Sequence, residues 1–356
     1  MSGPRLRHDL DAIPAYKAGQ PARVIPGVSP HKLSSNEIPF PPLPSVLAAA
    51  EDALGDMHRY PDFSSSTLVR ALAQRFSVPV SDIAVATGSV GLAQQLVQIA
   101  AGAGDSVMFG WRSFESYPIV TQIAGANRQA IALDAADRYD LDAMLSAIDN
   151  TTRLIFVCNP NNPTGTAVDR DALERFVNAV PSDILVVIDE AYREFVDPER
   201  IPDGLDFYRR FDNVAVLRTF SKAYGLAALR VGFCIAHEPV AEALRKVQVP
   251  FGVSSVAEAA AVAALKVEDE LLERCRHIVA ERERVITRLE ACGLQPSESE
   301  ANFIWLRLGE RTMDFATACE DAGLAVRPFA GEGVRVSIGV EEANDRFLNV
   351  VERWRA

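Results

Sequence analysis

No stretch of the chain approaches the roughly 18 uninterrupted apolar residues of a membrane span, so no membrane partner is expected. No apolar core follows the basic residues between Met1 and Tyr16, so a secretory leader is not expected either. Cysteine is sparse: five residues (Cys158, Cys234, Cys275, Cys292 and Cys319), odd in number, scattered, and without a Cys-x-x-Cys pair. That excludes a disulfide framework and a zinc site, leaves no metal expected, and fits reduced thiols in a cytoplasmic protein. Cys158 and Cys234 sit in apolar runs and read as core fillers. Positive charge is also short, with 36 Lys and Arg against 48 Asp and Glu and a net charge of -12. A nucleic-acid partner would want a basic face, and none is indicated. Anionic small molecules remain possible, because a local arginine cluster can sit inside an acidic protein. Internal repeats and low-complexity segments are absent.

The 356 residues, 48% hydrophobic and 24% charged, suffice for one large domain plus a smaller one. Residues 1–35, punctuated by Pro and Gly, read as an arm that contributes to the small domain. Residues 36–260 read as the large domain. After a rigid Pro39-Phe40-Pro41-Pro42 turn, helices are expected over 44–54 and 67–76. Apolar strands then alternate with amphipathic helices. The strands are Ile83–Ala86, Ser106–Phe109, Leu154–Cys158, Ile184–Ile188, Val214–Leu217 and Val231–Ile235, and the helices are 90–101, 115–124, 170–179 and 239–247. This is an α/β pattern with a mostly parallel sheet, and the continuous Val/Ile/Leu runs imply strands covered on both faces. A long helical pattern over 256–292 opens the second unit, residues 261–356. Strand 303–308, helix 312–322, strand 334–338 and helix 342–354 follow, a smaller α+β domain.

Ligands of open α/β sheets bind beyond the carboxyl ends of the strands, and here those ends are polar. Thr87-Gly88-Ser89-Val90-Gly91 follows the first strand. Asn159-Pro160-Asn161-Asn162-Pro163-Thr164-Gly165 follows 154–158, and Asp189-Glu190-Ala191-Tyr192 follows 184–188. Thr219-Phe220-Ser221-Lys222-Ala223-Tyr224-Gly225 and then Arg230 follow 214–217. A lysine at a strand end can form a Schiff base with an aldehyde if its neighbours lower its pKa. Asp189 would keep a heterocyclic nitrogen protonated, which is what pyridoxal phosphate needs to act as an electron sink. Tyr192 and Asn162 can hydrogen-bond the phenolic oxygen of that ring. Thr219, Ser221, Arg230 and the backbone N–H groups of Gly88, Ser89 and Val90 make a phosphate cradle. Taken singly these are ordinary features: a turn, a helix cap, a strand-to-helix loop, a surface Ser-Lys pair. Their order at successive strand ends is what carries the reading.

The same motifs, with Ser35-Asn36-Glu37, Arg59-Tyr60-Pro61-Asp62 and Gly333-Val334-Arg335-Val336-Ser337, make the chain resemble a fold-type I pyridoxal-phosphate aminotransferase. The branch they resemble is that of histidinol-phosphate aminotransferases. The resemblance spans nearly the whole chain. It implies a seven-stranded-type sheet and pyridoxal 5'-phosphate held by Lys222, which also moves the proton. It places Asp189 on the pyridine nitrogen, Tyr192 and Asn162 on the 3′ oxygen, and Phe114 stacked on the ring. It gives Arg335 the substrate carboxylate and sets Asn36 near the substrate backbone. Tyr60 would reach the cofactor phosphate of a neighbouring subunit, implying a homodimer. The amino donor and the 2-oxo acid acceptor, 2-oxoglutarate, would react in ping-pong order.

Two substrate classes compete. The family's usual Asn-Glu-Asn-Pro is here Asn36-Glu37-Ile38-Pro39, and the segment between Arg327 and Arg335 lacks further basic residues for a second phosphate. These departures resemble the aromatic amino acid (phenylalanine) aminotransferase branch known from actinobacteria, with histidinol phosphate as the alternative. Arg327 stands open between a substrate phosphate, the side-chain carboxylate of 2-oxoglutarate and a nearby acid. A decarboxylase on the same fold, or a non-catalytic cofactor-binding regulator, would be the other readings. A regulator would carry an added DNA-binding segment, and the sequence shows none.

Overall fold

The computed structural model of the chain describes residues 4, 6–7 and 10–355. Short strand β1 (His31–Lys32) lies in the arm. The apolar runs form β2 (Ile83–Ala86), β3 (Ser106–Trp111), β4 (Asn127–Ala132), β5 (Thr152–Cys158), β6 (Leu185–Asp189), β7 (Val214–Thr219) and β8 (Gly232–Ile235). They make one seven-stranded sheet in the order β2-β8-β7-β6-β5-β3-β4. Only β8 is reversed, pairing antiparallel with both β2 and β7. The strands on either side of the sheet centre are buried along almost their whole length, as β-branched residues covered on both faces require. Helices α1 (Pro44–Leu54), α2 (Ser66–Phe76), α3 (Gly88–Ala100), α4 (Ser116–Ile123), α5 (Leu141–Ser146), α6 (Arg170–Ala179), α7 (Gly204–Tyr208) and α8 (Glu238–Val247) intervene. The expected mostly parallel α/β sheet is therefore present.

Two expectations need correction. Strand β4 escaped the sequence reading: it is an edge strand with outward-facing polar residues, so it has no continuous apolar run. The single long helix expected over 256–292 is two helices, α9 (Ser255–Lys266) and α10 (Glu268–Ala291), broken at Val267, whose backbone (φ -118°, ψ 28°) is not helical. Glu268, Asp269 and Glu270 crowd the first turn of α10, where the helix dipole favours negative charge.

Strand β9 (Phe303–Arg307), helix α11 (Thr312–Asp321), strands β10 (Leu324–Ala325), β11 (Arg327–Phe329) and β12 (Gly333–Ser337) and helix α12 (Glu341–Arg355) complete the chain. Strands β11, β12 and β9 form a three-stranded antiparallel sheet, and β1 pairs with β10 in parallel. In the β11–β12 register Arg327 stands opposite Arg335. No helix among the described residues is long and apolar enough to cross a membrane.

Candidate active site

The carboxyl ends of β5, β6 and β7 open on one cleft, with a cavity volume of about 210 Å³. The register places Cys158 beside Asp189, and Asp189 beside Leu217, so the chain that follows each strand reaches the same wall. Lys222 lies just past β7. Its Nζ donates to the Ser35 carbonyl at 2.9 Å. Burial first, and then the Arg335 guanidinium, lower its amine to about 7. A neutral amine near neutral pH is the nucleophile that aldehyde chemistry needs.

Asp189, the last residue of β6, accepts from the Tyr117 hydroxyl on Oδ2 at 2.6 Å, while its Oδ1 is buried without a partner. Burial pushes this carboxyl up to about 6. Such an acid awaits a cation, and a protonated ring nitrogen would supply one. Its neighbour Glu190 turns the other way and is clamped by Arg218 (Oε2 to Nη2 2.7 Å) and the Gly204 amide. Tyr192 accepts from the Asn36 amide at 2.9 Å, and burial raises its phenol above the ordinary value. Asn36 itself holds a left-handed backbone (φ 56°), a conformation asparagine tolerates better than most residues.

An anion cradle lies at the start of α3. The Thr219 hydroxyl donates to Ser221 Oγ at 3.0 Å and accepts from the Ser221 amide at 3.1 Å. Arg230 Nη1 reaches Ser221 Oγ at 3.2 Å. A Cβ on Gly88 (φ +75°) would lie 2.5 Å from Arg230 Nη2, so glycine is needed for the guanidinium to cross the helix N-terminus. Ser89 and Val90 line the cleft there; Gly88 stands behind Arg230 and off the wall.

The other end of the cleft is built by the three-stranded sheet. Arg335 is buried, and burial lowers its guanidinium below the usual value. Its Nη1 donates to Asn162 Oδ1, its Nη2 donates to the Ser34 carbonyl at 2.6 Å, and its Nε is buried without a partner. Arg327 also lines the cleft, but its Nη2 is taken by Glu115 Oε2 at 2.7 Å. Phe114 lies on the wall, edge-to-face with Tyr117 at 5.6 Å between ring centroids.

Of the residues singled out from sequence, all but Gly88 and Tyr60 line this cleft. Tyr60 lies elsewhere on the surface, 82% exposed and stacked on Phe251 at 4.7 Å. The sequence reading missed Tyr117, Glu115 and the arm residues Tyr16 and Lys17. Neither Tyr117 nor Glu115 carries a local signal, because their partners are 72 and 212 residues away.

An α/β sheet with a depressed lysine, an acid with an orphaned oxygen and an anion cradle at its strand ends defines an enzyme site for an aromatic aldehyde cofactor bearing a phosphate. The residues fit pyridoxal 5'-phosphate: Asp189 Oδ1 for the ring nitrogen, the cradle of Ser89, Thr219, Ser221 and Arg230 for the phosphate, and Lys222 for the aldehyde. Residues 30–351 match the family model described as aminotransferase class I and II, and the chain belongs to that family. A Streptomyces avermitilis protein named aromatic amino acid aminotransferase is 60% identical over 354 residues, covering 99% of this chain and 98% of that protein. One of the same name from Thermobifida fusca is 56% identical over 351 residues, covering 99% and 97%. Among solved structures, the histidinol-phosphate aminotransferase from Sinorhizobium meliloti in complex with pyridoxal-5'-phosphate superposes with a TM-score of 0.84. It is 30% identical, over 91% of this chain and 90% of that one.

Proposed function

We propose that this aminotransferase moves the amino group of an aromatic amino acid, phenylalanine or tyrosine, to 2-oxoglutarate, with pyridoxal phosphate bound at Lys222. The observation that carries the reading is the charge pattern of the substrate end. Arg335 is bonded only to neutral acceptors, Asn162 and Ser34, whereas Arg327 is neutralised by Glu115. One uncompensated guanidinium suits one carboxylate. The relatives named aromatic amino acid aminotransferase, 51 to 60% identical, support the same choice.

Pyridoxal phosphate supplies a protonated ring that draws electrons away from the substrate α-carbon. The chain's own residues do the rest. Asp189 would hold the positive ring nitrogen, and Tyr117 fixes that carboxylate in place. Tyr192 and Asn162 would hold the phenolic oxygen, and Phe114 would offer a ring face for stacking. Thr219, Ser221, Arg230 and the N-terminus of α3 hold the phosphate. Arg335 orients the substrate carboxylate, and Asn36 stands beside it. Lys222 Nζ, the cleft amine held near neutrality, would accept the α-proton of the substrate and pass it on. The keto product leaves before the acceptor enters, which gives ping-pong kinetics. Tyr60, with Phe251 and Phe63, forms an exposed aromatic cluster suited to a homodimer in which Tyr60 reaches the other subunit's cofactor phosphate.

Histidinol phosphate is the second reading, favoured by the Sinorhizobium meliloti structure at 30% identity. The deciding experiment is kcat/KM of the cofactor-loaded enzyme for phenylalanine, tyrosine and histidinol phosphate, each with 2-oxoglutarate. A lead of the aromatic amino acids by more than about tenfold, or roughly 1.4 kcal/mol of transition-state preference, upholds the proposal. A lead of histidinol phosphate overturns it.

A further inference from the structure

We infer that Glu115 tunes how well the substrate end of the cleft accepts a second negative charge: it weakens, without abolishing, the binding of ligands that bring two, the acceptor 2-oxoglutarate among them. The inference rests on the aminotransferase assignment above, with Arg335 on the substrate carboxylate.

The argument begins with the β11–β12 pair. Arg327 and Arg335 are cross-strand partners, so two guanidinium groups are set opposite each other. Like charges in that position repel. Only one of them has a counter-charge: Arg327 Nη2 meets Glu115 Oε2 at 2.7 Å, and its Nη1 reaches the Ala18 carbonyl at 3.4 Å. The Arg327 guanidinium also lies 5.3 Å from the centre of the Phe329 ring. Arg335 is bonded only to the neutral acceptors Asn162 and Ser34, with one buried nitrogen unpartnered. Among the other ionisable groups on this wall, Glu37 is paired with Lys32 at 3.1 Å, Lys17 is exposed to solvent, and Arg230 is committed to the opposite end of the cleft.

A carboxylate therefore meets one guanidinium without an ion-pair partner beside a neutral ion pair lying against an aromatic ring. A phosphate monoester or a dicarboxylate brings a second negative charge. To neutralise it, Arg327 must leave Glu115, and the released carboxylate then stays half-buried next to an anion. Both consequences oppose binding. Glu115→Gln keeps the size and an oxygen acceptor for Arg327 but removes the competing charge.

The test compares wild-type and Glu115→Gln holoenzymes on four ligands: phenylalanine and phenylpyruvate, whose single carboxylate brings one negative charge, and histidinol phosphate, whose phosphate brings nearly two, and 2-oxoglutarate, whose two carboxylates bring two. The expected result is a rise of about tenfold or more in kcat/KM for histidinol phosphate, a fall in KM for 2-oxoglutarate, and changes under about threefold for the other two. Calorimetric titration of histidinol phosphate into both holoenzymes should show the same tightening. Adding Arg327→Gln to the variant should erase the gain, since the freed cation is what the second charge uses. If histidinol phosphate and 2-oxoglutarate are unaffected, or all four ligands shift together with the melting temperature, Glu115 is a structural anchor and the inference fails. Should Glu115→Gln fold poorly, Glu115→Ala makes the same comparison. A wild-type enzyme that already prefers histidinol phosphate defeats the substrate assignment itself, and this is seen before any variant is made.

Discussion

Tyr117 donates its hydroxyl to one oxygen of Asp189 at 2.6 Å and leaves the other oxygen, buried, with no partner. The tyrosine is itself fixed by stacking on Phe156, 4.4 Å between centroids. The carboxylate is thus held in one orientation with a single acceptor aimed into the cleft.

Asp189→Asn retains that geometry and removes the charge. Turnover should fall by about a hundredfold or more, and the absorption of the bound cofactor should report a ring nitrogen that loses its proton at lower pH. A near-wild-type rate with an unchanged spectrum would remove Asp189 from its assigned role.

Lys222 gives a prediction with a defined sign. Its amine is lowered from the ordinary lysine value to about 7, so it is protonated and unreactive below that pH and neutral above it. Covalent uptake of pyridoxal phosphate by the cofactor-free protein should accelerate as pH rises and reach half its maximum near 7. Stopped-flow absorbance will measure this, and a midpoint near that of ordinary lysine would contradict it. Lys222→Ala should bind cofactor only non-covalently and lose turnover by more than about a thousandfold.

Arg335→Ala should raise KM for phenylalanine and 2-oxoglutarate by about 10- to 100-fold, the worth of a charge-assisted hydrogen-bonded pair. Cofactor affinity should be unaffected, because Arg335 stands at the substrate end. Unchanged KM values would reassign the carboxylate site.

Placing a charge in the exposed aromatic cluster tests the expected dimer. Phe251→Asp should shift the protein to a monomer in sedimentation, with activity lost in parallel as Tyr60 is withdrawn from the other site. A monomeric variant with full activity would show that each site is complete within one chain.

Much of this is legible in the sequence. The apolar runs mark every strand of the large sheet but the edge strand β4, because strands covered on both faces leave a continuous Val/Ile/Leu record. Strand β4 leaves none, since Asn127 and Arg128 occupy exposed positions and the partly buried third position is Gln129. The break at Val267 was hidden because helical spacing continues across it. In the site, residues that follow directly on a strand, such as Asp189 and Lys222, could be placed from local sequence alone. Glu115 and Tyr117 could not, because their roles depend on Arg327 and Asp189, contacts 212 and 72 residues away that no local pattern encodes.

Residues 34–36 are engaged on several sides: Ser34 by Arg335, Ser35 by Lys222, and Asn36 by Ser337, whose Oγ accepts the Asn36 amide across 301 residues of chain. A ribosome makes this segment 301 residues before Arg335 and Ser337. The segment must therefore wait for those two residues to be translated before its contacts close. A product that terminates before Arg335 contains every strand of the large sheet and still lacks a finished catalytic cleft, so a stop between the large sheet and Arg335 should behave as a null allele.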